Sequence, residues 1–298
     1  MDDSISSTSL KVSLFSLRHT FESAQPLTFH ADYDQFSNTI TYPSGRNVIN
    51  MGHYGSEKDG EVRIVSRDIS SAASDVSRRF RLGDDMKAVY KGIGTDQFMK
   101  DAITRYSGMR LTLNDPWETT LVFIISQFNN VKRIRLITKN IIARFGPEIM
   151  DGSGKSIMRG FPGSADLIGA SEKDFRKCGA GFRAKYLKDL ADYCTNNIDL
   201  NRLNPKNYDK LKETLMSING VGEKVADCII LMGYGNLAAF PIDVWVKRTI
   251  EKAYFNGKRK RMKEIMDFVS QKWDRRYLGY AQQYIFWGGR QASRNEVK

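Results

Sequence analysis

A lysine and an aspartate nineteen positions apart are the residues of this sequence best suited to chemistry. Lys224 lies two positions after the turn Ile218–Gly222, and Asp243 lies two positions after Pro241. A lysine amine is a nucleophile once it has lost its proton, and a carboxylate stabilises positive charge that develops on a nearby carbon. The pair therefore suits cleavage of a bond whose carbon becomes electron-poor, through a covalent intermediate on Lys224.

The glycines of this turn indicate the element that positions the lysine. Good helix formers precede Ser217, Gly220 and Gly222 allow a tight hairpin, and a second helix should begin at about Lys224. The unpaired N–H groups that open such a helix can hold a phosphate, although an ordinary glycine-capped turn is the alternative. The helix dipole should also lower the pKa of Lys224. Asp243 is expected to cap the following helix.

The composition favours an acidic polymer as the partner. Lys and Arg outnumber Asp and Glu by 46 to 34, which gives a formal net charge of +12, but a solvated basic surface would have the same charge. The first ten residues lack a signal sequence, and no stretch approaches the ~18 apolar residues of a membrane helix. A soluble intracellular protein is therefore expected, without contact with a membrane.

The cysteines and histidines argue against a metal site. The three cysteines are too few and too far apart for a four-ligand zinc site, and no histidine lies beyond His53. Chemistry after that point must use Lys, Asp, Glu, Tyr or Cys. No metal and no organic cofactor is expected.

The spacing of apolar residues predicts an α+β fold. Between about Leu10 and Ser66, the short runs SLFSL, PLTFHADYD, NTITYPSGRNVINM and EVRIVS alternate with turn residues, as in antiparallel strands. From Ile69 onward the spacing is helical, and one helical stretch extends from Asp115-Pro116 to Gly146-Pro147. Further helices are predicted at residues 172–178, 183–196, 206–217, 224–234, 243–254, 262–272 and 278–290.

These elements suggest a division into domains. We predict a small N-terminal antiparallel β-sheet domain over residues 1–75, with a serine-rich linker at 66–77. A mostly α-helical core follows over residues 76–298. Its first subdomain covers roughly residues 115–236 and contains the hairpin, and its second covers roughly 76–114 plus 237–298.

The residues around the hairpin resemble a known family. The turn Ile218–Gly222, Pro241 and Asp243 resemble the hallmark of the helix-hairpin-helix GPD superfamily of DNA glycosylases, whose lyase-competent members carry a lysine at the position of Lys224. The segment GVGEKVADCI is similar to the 8-oxoguanine DNA glycosylase branch. The resemblance covers nearly the whole chain through the segments FESAQPLTF, DPWETTLVFIISQFNNVKRI, FRKCGAGFRAKYL and GYAQQYIF.

The resemblance implies a bifunctional DNA repair glycosylase with a helix-hairpin-helix core. Such an enzyme excises 8-oxoguanine from duplex DNA and cleaves the abasic site by β-elimination. Lys224 would form a Schiff base with C1′, and Asp243 would stabilise charge on the sugar. The implied partner is double-stranded DNA containing oxidised guanine, bound by a DNA-associated intracellular monomer.

Three alternatives remain open. The first is a monofunctional or alkylated-base glycosylase of the same fold, whose members generally lack a lysine at position 224. The second is a non-enzymatic helix-hairpin-helix module that binds DNA. The third is a basic RNA-binding protein with a chance motif.

The resemblance also implies a pocket for a flipped base. Cys228 lies one turn after Lys224, and Gln282 and Phe286 are four positions apart. Cys228 and Phe286 would sandwich the base, and Gln282 would hydrogen-bond its Watson–Crick edge; core packing is the alternative for the first two. Ala24 stands where the family has a glycine whose carbonyl accepts from the N7–H of oxidised guanine.

Further residues are implied to contact the opposite base. Arg133 and Arg183 align with arginines that read the opposite cytosine, and Phe182 aligns with an aromatic wedge. Phe128 stands at the position of the family's first plug asparagine, with Asn129 after it. The preference for cytosine is therefore left open.

A last group is implied to contact the DNA backbone. The N–H groups of Gly220 and Gly222, together with Lys247 and Arg248, would bind phosphate. Trp245 replaces a phosphate-binding histidine of some members. The basic run at residues 258–261 is a further candidate, for which a solvated loop is the alternative.

Overall fold

The computed structural model describes residues 5–296 and begins with an antiparallel sheet. The strands pair in the order β1-β5-β4-β3-β2. Their bounds are β1 (Ser6–Val12), β2 (Asp32–Asp34), β3 (Thr39–Ser44), β4 (Asn47–Gly55) and β5 (Gly60–Ser66). Alternate residues of the central strands, such as Ile49 and Met51, are fully buried, so one face of the sheet covers a core.

One predicted strand is absent, and a second, the run PLTFHADYD, is a strand only over its last three residues, β2. The run at residues 13–17 leads into helix α1 (Leu17–Glu22), and Pro26–Phe29 forms a 3-10 turn. Phe15 and Leu27 in these segments are buried. These residues are apolar because they are buried. A short apolar run indicates burial but does not distinguish a strand from a helix.

The serine-rich stretch is a helix of the first unit and not a linker. Helix α2 (Ile69–Arg79) begins after Asp68, whose side chain accepts a hydrogen bond from the Ser71 N–H. Ala72 and Val76, four positions apart, are buried in the core of the sheet. The core of the sheet therefore includes α2 and extends beyond residue 75.

The remaining helices share a second, larger hydrophobic core. They are α3 (Met86–Ile93), α4 (Gln97–Arg105), α5 (Pro116–Ser126), α6 (Val131–Phe145), α7 (Glu172–Lys177), α8 (Ala184–Asn196), α9 (Tyr208–Met216), α10 (Glu223–Met232), α11 (Val244–Tyr254), α12 (Met262–Lys272) and α13 (Leu278–Glu296). An unpredicted hairpin of β6 (Glu148–Met150) and β7 (Ser156–Arg159) interrupts them. The predicted α+β class is confirmed.

The helices pack in two groups. Helix α5 packs against α6, α8 and α10, whereas α13 packs against α3, α4 and α11. This packing supports the two helical subdomains, which we retain as a proposal. Within residues 5–296, no helix has the length and apolar character needed to cross a bilayer.

The single helical stretch predicted from Pro116 to Phe145 is two helices joined by residues 127–130. Asn130 caps α6 by accepting a hydrogen bond from the Arg133 N–H at 3.0 Å. Phe128 has a φ of 46°, in the left-handed region that few non-glycine residues adopt. We call residues 127–130 the break loop.

A buried ion cluster joins the sheet unit to the helices. The Glu118 carboxylate on α5 lies 2.8 Å from His30 Nε2 and 3.3 Å from Arg79 Nη1 on α2. Burial alone would raise the pKa of the Glu118 carboxyl, but His30 and Arg79 lower it to about 2. The carboxylate is therefore ionised at neutral pH and compensates the buried guanidinium.

Replacing Glu118 by Gln should lower the free energy of unfolding at pH 7 by about 1.5–3 kcal/mol, because the buried Arg79 would lose one of its two carboxylate partners and keep only Asp75. The pKa of Glu118 is lower in the folded than in the unfolded chain, where it is near ~4.3. Its contribution is thus complete above that value and declines as the pH falls toward 2. Urea unfolding at several pH values should show the difference between parent and variant shrinking on acidification.

The matched control is Glu172→Gln. Glu172 forms an exposed ion pair with Arg176 on α7, and loss of such a pair costs less than about 1 kcal/mol. Equal effects of the two substitutions would contradict a structural role for the cluster.

Candidate active site

The hairpin between α9 and α10 has the backbone that its glycines predict. Gly220 has a φ of +89°, and Gly222 caps α10 with no side chain bonded to the first N–H groups. A Cβ atom at Gly222 would meet nothing within 4 Å. The N-terminus of α10 is therefore open to a ligand, and its N–H groups favour an anion.

Gly220 allows a close approach that no larger residue permits. A Cβ atom there would lie 2.7 Å from Tyr186 Cγ, and the positive φ adds strain. We expect Gly220→Ala to lower the free energy of unfolding by about 1–3 kcal/mol in urea. Gly83→Ala is the control, because a Cβ atom at Gly83 meets nothing within 4 Å; equal stabilities of the two variants would contradict the role of Gly220.

Lys224 and Asp243 face one cavity of about 270 Å³. Lys224 is the second residue of α10, and its Nζ lies 5.2 Å from the centroid of the Phe123 ring. Asp243 caps α11, as predicted, and its Oδ1 accepts a hydrogen bond from the Val246 N–H at 2.8 Å. The cap holds the carboxylate in a defined position at the cavity.

The neighbours of Lys224 favour its charged form. Burial lowers the pKa of the lysine, but Cys228 and Asp243 outweigh burial and the pKa is raised. The expected decrease from the helix dipole is therefore not the net direction. Burial raises the pKa of the Cys228 thiol to about 11, although Lys224 opposes this, so Cys228 is a thiol at neutral pH.

The other residues predicted for a base pocket line the same cavity. They are Ala24, Cys228, Gln282 and Phe286. Gln282 is 5% exposed, and its Oε1 has no hydrogen-bond partner within the described residues. A buried acceptor without a partner is rare in folded proteins and indicates a place for a ligand donor.

The backbone of Ala24 has a left-handed conformation that is typical of glycine. Its φ is 60°, and hydrogen bonds on both sides hold the turn. Gln283 Nε2 donates to the carbonyl of Ser23 at 2.9 Å, and the Gln25 side chain accepts from the Thr112 N–H at 2.7 Å. Ala24 therefore occupies a left-handed turn that these hydrogen bonds stabilise.

Two contributors to the site were missed from the sequence. Phe123 lies below Lys224, but an apolar residue inside a buried helix has no signal that separates it from the core. Gln283 anchors the turn at Ala24, and its position next to Gln282 was a usable signal.

Exposed aromatic side chains lie on and beside the break loop. Phe128 is 94% exposed and Phe182 is 50% exposed, with ring centroids 6.4 Å apart. Asn129 lines the cavity. The Gln127 side chain donates to the carbonyl of Gly220 at 2.8 Å, so the break loop is joined to the hairpin.

The two arginines predicted to read the opposite base differ in exposure. Arg133 is exposed. Arg183 is 3% exposed, and its guanidinium donates to the main-chain carbonyls of Gln127, Phe128 and Ala180. In this structure Arg183 therefore supports the break loop and is not presented to a ligand.

The predicted backbone contacts differ in position and in exposure. Trp245 lines it, Arg248 is exposed, and Lys247 Nζ lies 3.8 Å from Glu251. In the basic run at 258–261, Lys260 and Arg261 both pair with Glu264. Among residues 5–296 there is no group of three or more His, Cys, Asp or Glu residues that could hold a metal ion.

Comparisons with known proteins point to one family. The model of the HhH-GPD superfamily base excision DNA repair proteins matches residues 121–275. The solved 8-oxoguanine glycosylase/lyase of Clostridium acetobutylicum, bound to dsDNA containing cytosine opposite 8-oxoG, is 30% identical. That match covers 98% of this chain and 100% of the clostridial chain, with a TM-score of 0.84.

Two further proteins are similar. MBOgg1, solved in complex with a low affinity DNA ligand, is 31% identical over 96% of both chains, with a TM-score of 0.87. The N-glycosylase/DNA lyase of Saccharomyces cerevisiae is 33% identical over 199 residues, which cover 62% of this chain. The match spans 53% of the yeast protein, about half its length.

Proposed function

We propose, from the premise that this chain belongs to the HhH-GPD superfamily of base excision DNA repair proteins, that it is a bifunctional glycosylase. It excises 8-oxoguanine from duplex DNA and cleaves the resulting abasic site. The observation that carries this proposal is one cavity that contains Lys224, Asp243 and the unpartnered Gln282. A nucleophile, a carboxylate and a hydrogen-bonding amide are the groups that removal of a base requires.

The base enters the cavity after it is flipped out of the duplex. The Gln282 Oε1 then accepts a hydrogen bond from the Watson–Crick edge of the base. This bond removes the free-energy penalty of a buried acceptor without a partner. Cys228 and Phe286 line the same cavity and contact the faces of the base. The cavity thus combines apolar and polar side chains, as a pocket for a base requires.

Ala24 supplies the discrimination between oxidised guanine and guanine. Oxidised guanine has a donor at N7, whereas guanine has an acceptor there. The carbonyl of Ala24 accepts from that N7–H and would repel the lone pair of guanine. This role is supported by the place of Ala24 in the cavity wall and by its glycine-like φ of 60°.

Lys224 performs the covalent step. The amine attacks C1′ as the base departs, and Asp243 stabilises the positive charge on the sugar. The C1′–O4′ bond then breaks as a proton of the attached amine passes to O4′, which opens the sugar ring and gives the Schiff base. The Schiff base makes a C2′ proton acidic, and loss of that proton expels the 3′ phosphate. The ammonium form of Lys224 predominates at neutral pH because Cys228 and Asp243 raise its pKa more than burial lowers it, so the ammonium must lose a proton before the attack.

The hairpin holds the DNA backbone. The open N–H groups at Gly222 and at the start of α10 bind a phosphate. The exposed Arg248 and the half-buried Lys247 add positive charge at the start of α11. We propose that the chain acts as a monomer and that it is located with the DNA of the cell.

The test is a comparison of duplexes that contain 8-oxoguanine, 3-methyladenine or no lesion. Free 8-oxoguanine and a borohydride-trapped protein–DNA complex are expected with the first duplex only. Release of base without a trapped complex would indicate a monofunctional glycosylase. Binding without release would leave a DNA-binding module, and preference for RNA would exclude the proposal.

A further inference from the structure

The break loop has an aromatic residue, Phe128, at the position where the family resemblance implies an asparagine. Phe128 is 94% exposed although its transfer out of water would be favourable. It is also held at a φ of 46°, a conformation that costs free energy in a phenylalanine. An exposed and strained ring beside the cavity indicates that the ring has a partner in the bound state.

Hydrogen bonds from several elements fix this loop. Arg183 donates through all three of its nitrogens to main-chain carbonyls, among them Phe128 at 2.9 Å and Ala180 at 3.3 Å. Gln127 donates to Gly220 of the hairpin, and the Asn129 side chain donates to the carbonyl of Ile125 at 3.0 Å. The loop is therefore arranged before any ligand binds.

Phe182 enlarges the apolar surface. Its ring lies 6.4 Å from that of Phe128, and the Arg183 guanidinium lies 4.4 Å from the Phe182 centroid on which it stacks. The guanidinium thus donates hydrogen bonds to the loop and stacks on the Phe182 ring, and Arg183 is only 3% exposed. It is not available to hydrogen-bond a base in this arrangement.

We propose that Phe128 and Phe182 form a stacking platform for the base that is left without a partner when the lesion is flipped, and that the enzyme therefore tolerates any base opposite the lesion. The proposal rests on the proposed function. Stacking on an aromatic ring is tolerant of sequence, because every base has a π face. Reading one opposite base would need a directed donor. Arg183 is committed to the backbone, and Arg133, the other candidate, is exposed beside Lys132 at the start of α6, where it suits a phosphate.

Charge and proximity to the cavity identify a DNA base as the occupant of the platform. Asn129 and Asn130 of the break loop line the cavity, so the rings lie beside the place where the flipped base enters. Lys132 and Arg133 are exposed at the start of α6 and suit the phosphates of the same duplex. An apolar wedge flanked by cations is typical of proteins that enter a base stack.

The experiment measures binding to duplexes with a tetrahydrofuran abasic analogue opposite C, T, G or A. The dissociation constants of the parent should agree within about threefold across the four duplexes, and Phe128→Asn should weaken binding about tenfold with each. Asn tolerates the left-handed backbone, so this variant removes the ring without adding strain. Phe128→Tyr should restore parental binding.

Phe36→Asn is the matched control. Phe36 is 92% exposed and lies in the turn between β2 and β3, so this variant should bind as the parent does. With 2-aminopurine opposite the analogue, the parent should quench the fluorescence on binding and Phe128→Asn should not.

Two results would overturn the platform. One is a preference of the parent for one opposite base by more than about tenfold, and the other is parental binding by Phe128→Asn. Excision is measured separately on 8-oxoguanine duplexes. A parent that shows the binding pattern and excises nothing would refute the proposed function and leave the platform standing.

Discussion

Replacing Lys224 by Gln should abolish the borohydride-trapped complex and lower the single-turnover rate of 8-oxoguanine excision by on the order of 10⁴-fold or more. Glutamine keeps much of the length of the side chain but has no nucleophilic nitrogen. The rate of the parent should rise with pH, because its neighbours raise the pKa of Lys224 and the ammonium must lose its proton before attack. A rate–pH series on the parent measures this dependence.

Lys263→Gln is the control for this substitution. Lys263 is the second residue of α12, as Lys224 is of α10, but its side chain is exposed. The control should excise and trap as the parent does. Parental excision by Lys224→Gln would show that water attacks C1′ in place of the amine.

Replacing Asp243 by Asn should lower the rate of excision by about 10²- to 10³-fold, because the carboxylate charge that stabilises the sugar would be lost. Asparagine caps a helix as well as aspartate does. The free energy of unfolding should therefore stay within about 0.5 kcal/mol of the parental value. Single-turnover excision and urea unfolding of the same preparation separate the chemical role of Asp243 from its role as a cap.

Asp68→Asn provides the comparison for Asp243→Asn. Asp68 caps α2 and accepts a hydrogen bond from the N–H three positions later, as Asp243 does, but it lies on the exposed surface of the sheet unit. This variant should be parental in both measurements. A loss of less than about threefold in Asp243→Asn would mean that the charge takes no part in the reaction.

The features predicted well from the sequence depend on local signals. The hairpin at Gly220 and the start of α11 at Asp243 follow from glycine conformation and from capping, which involve neighbours in the chain. The α+β class follows from the change in apolar period near Ile69. Such signals act within a few residues of the chain and do not depend on tertiary contacts.

The features predicted poorly depend on distant contacts. The left-handed backbone at Phe128 is supported by Arg183, which lies 55 positions later, and no glycine or proline marks the break. The apolar spacing continues across it because α5 and α6 contribute to the same core. Asn130 as a helix cap was the one local signal of the break.

The charge on Lys224 shows the same limit. The helix dipole is a local property and gives the wrong net direction, because Cys228, one turn along α10, and Asp243, which lies close only in the fold, together raise the pKa of Lys224 more than burial lowers it. The cluster of His30, Arg79 and Glu118 is likewise invisible in the sequence, since 88 positions separate His30 from Glu118. Electrostatic balances of this kind are set by tertiary structure.

The buried thiol of Cys228 has a consequence for the conditions in which the protein works. Peroxides and alkylating agents react with thiolates, and a pKa of about 11 leaves only a trace of thiolate at neutral pH. The oxidants that create 8-oxoguanine in DNA would therefore leave this cysteine largely unmodified.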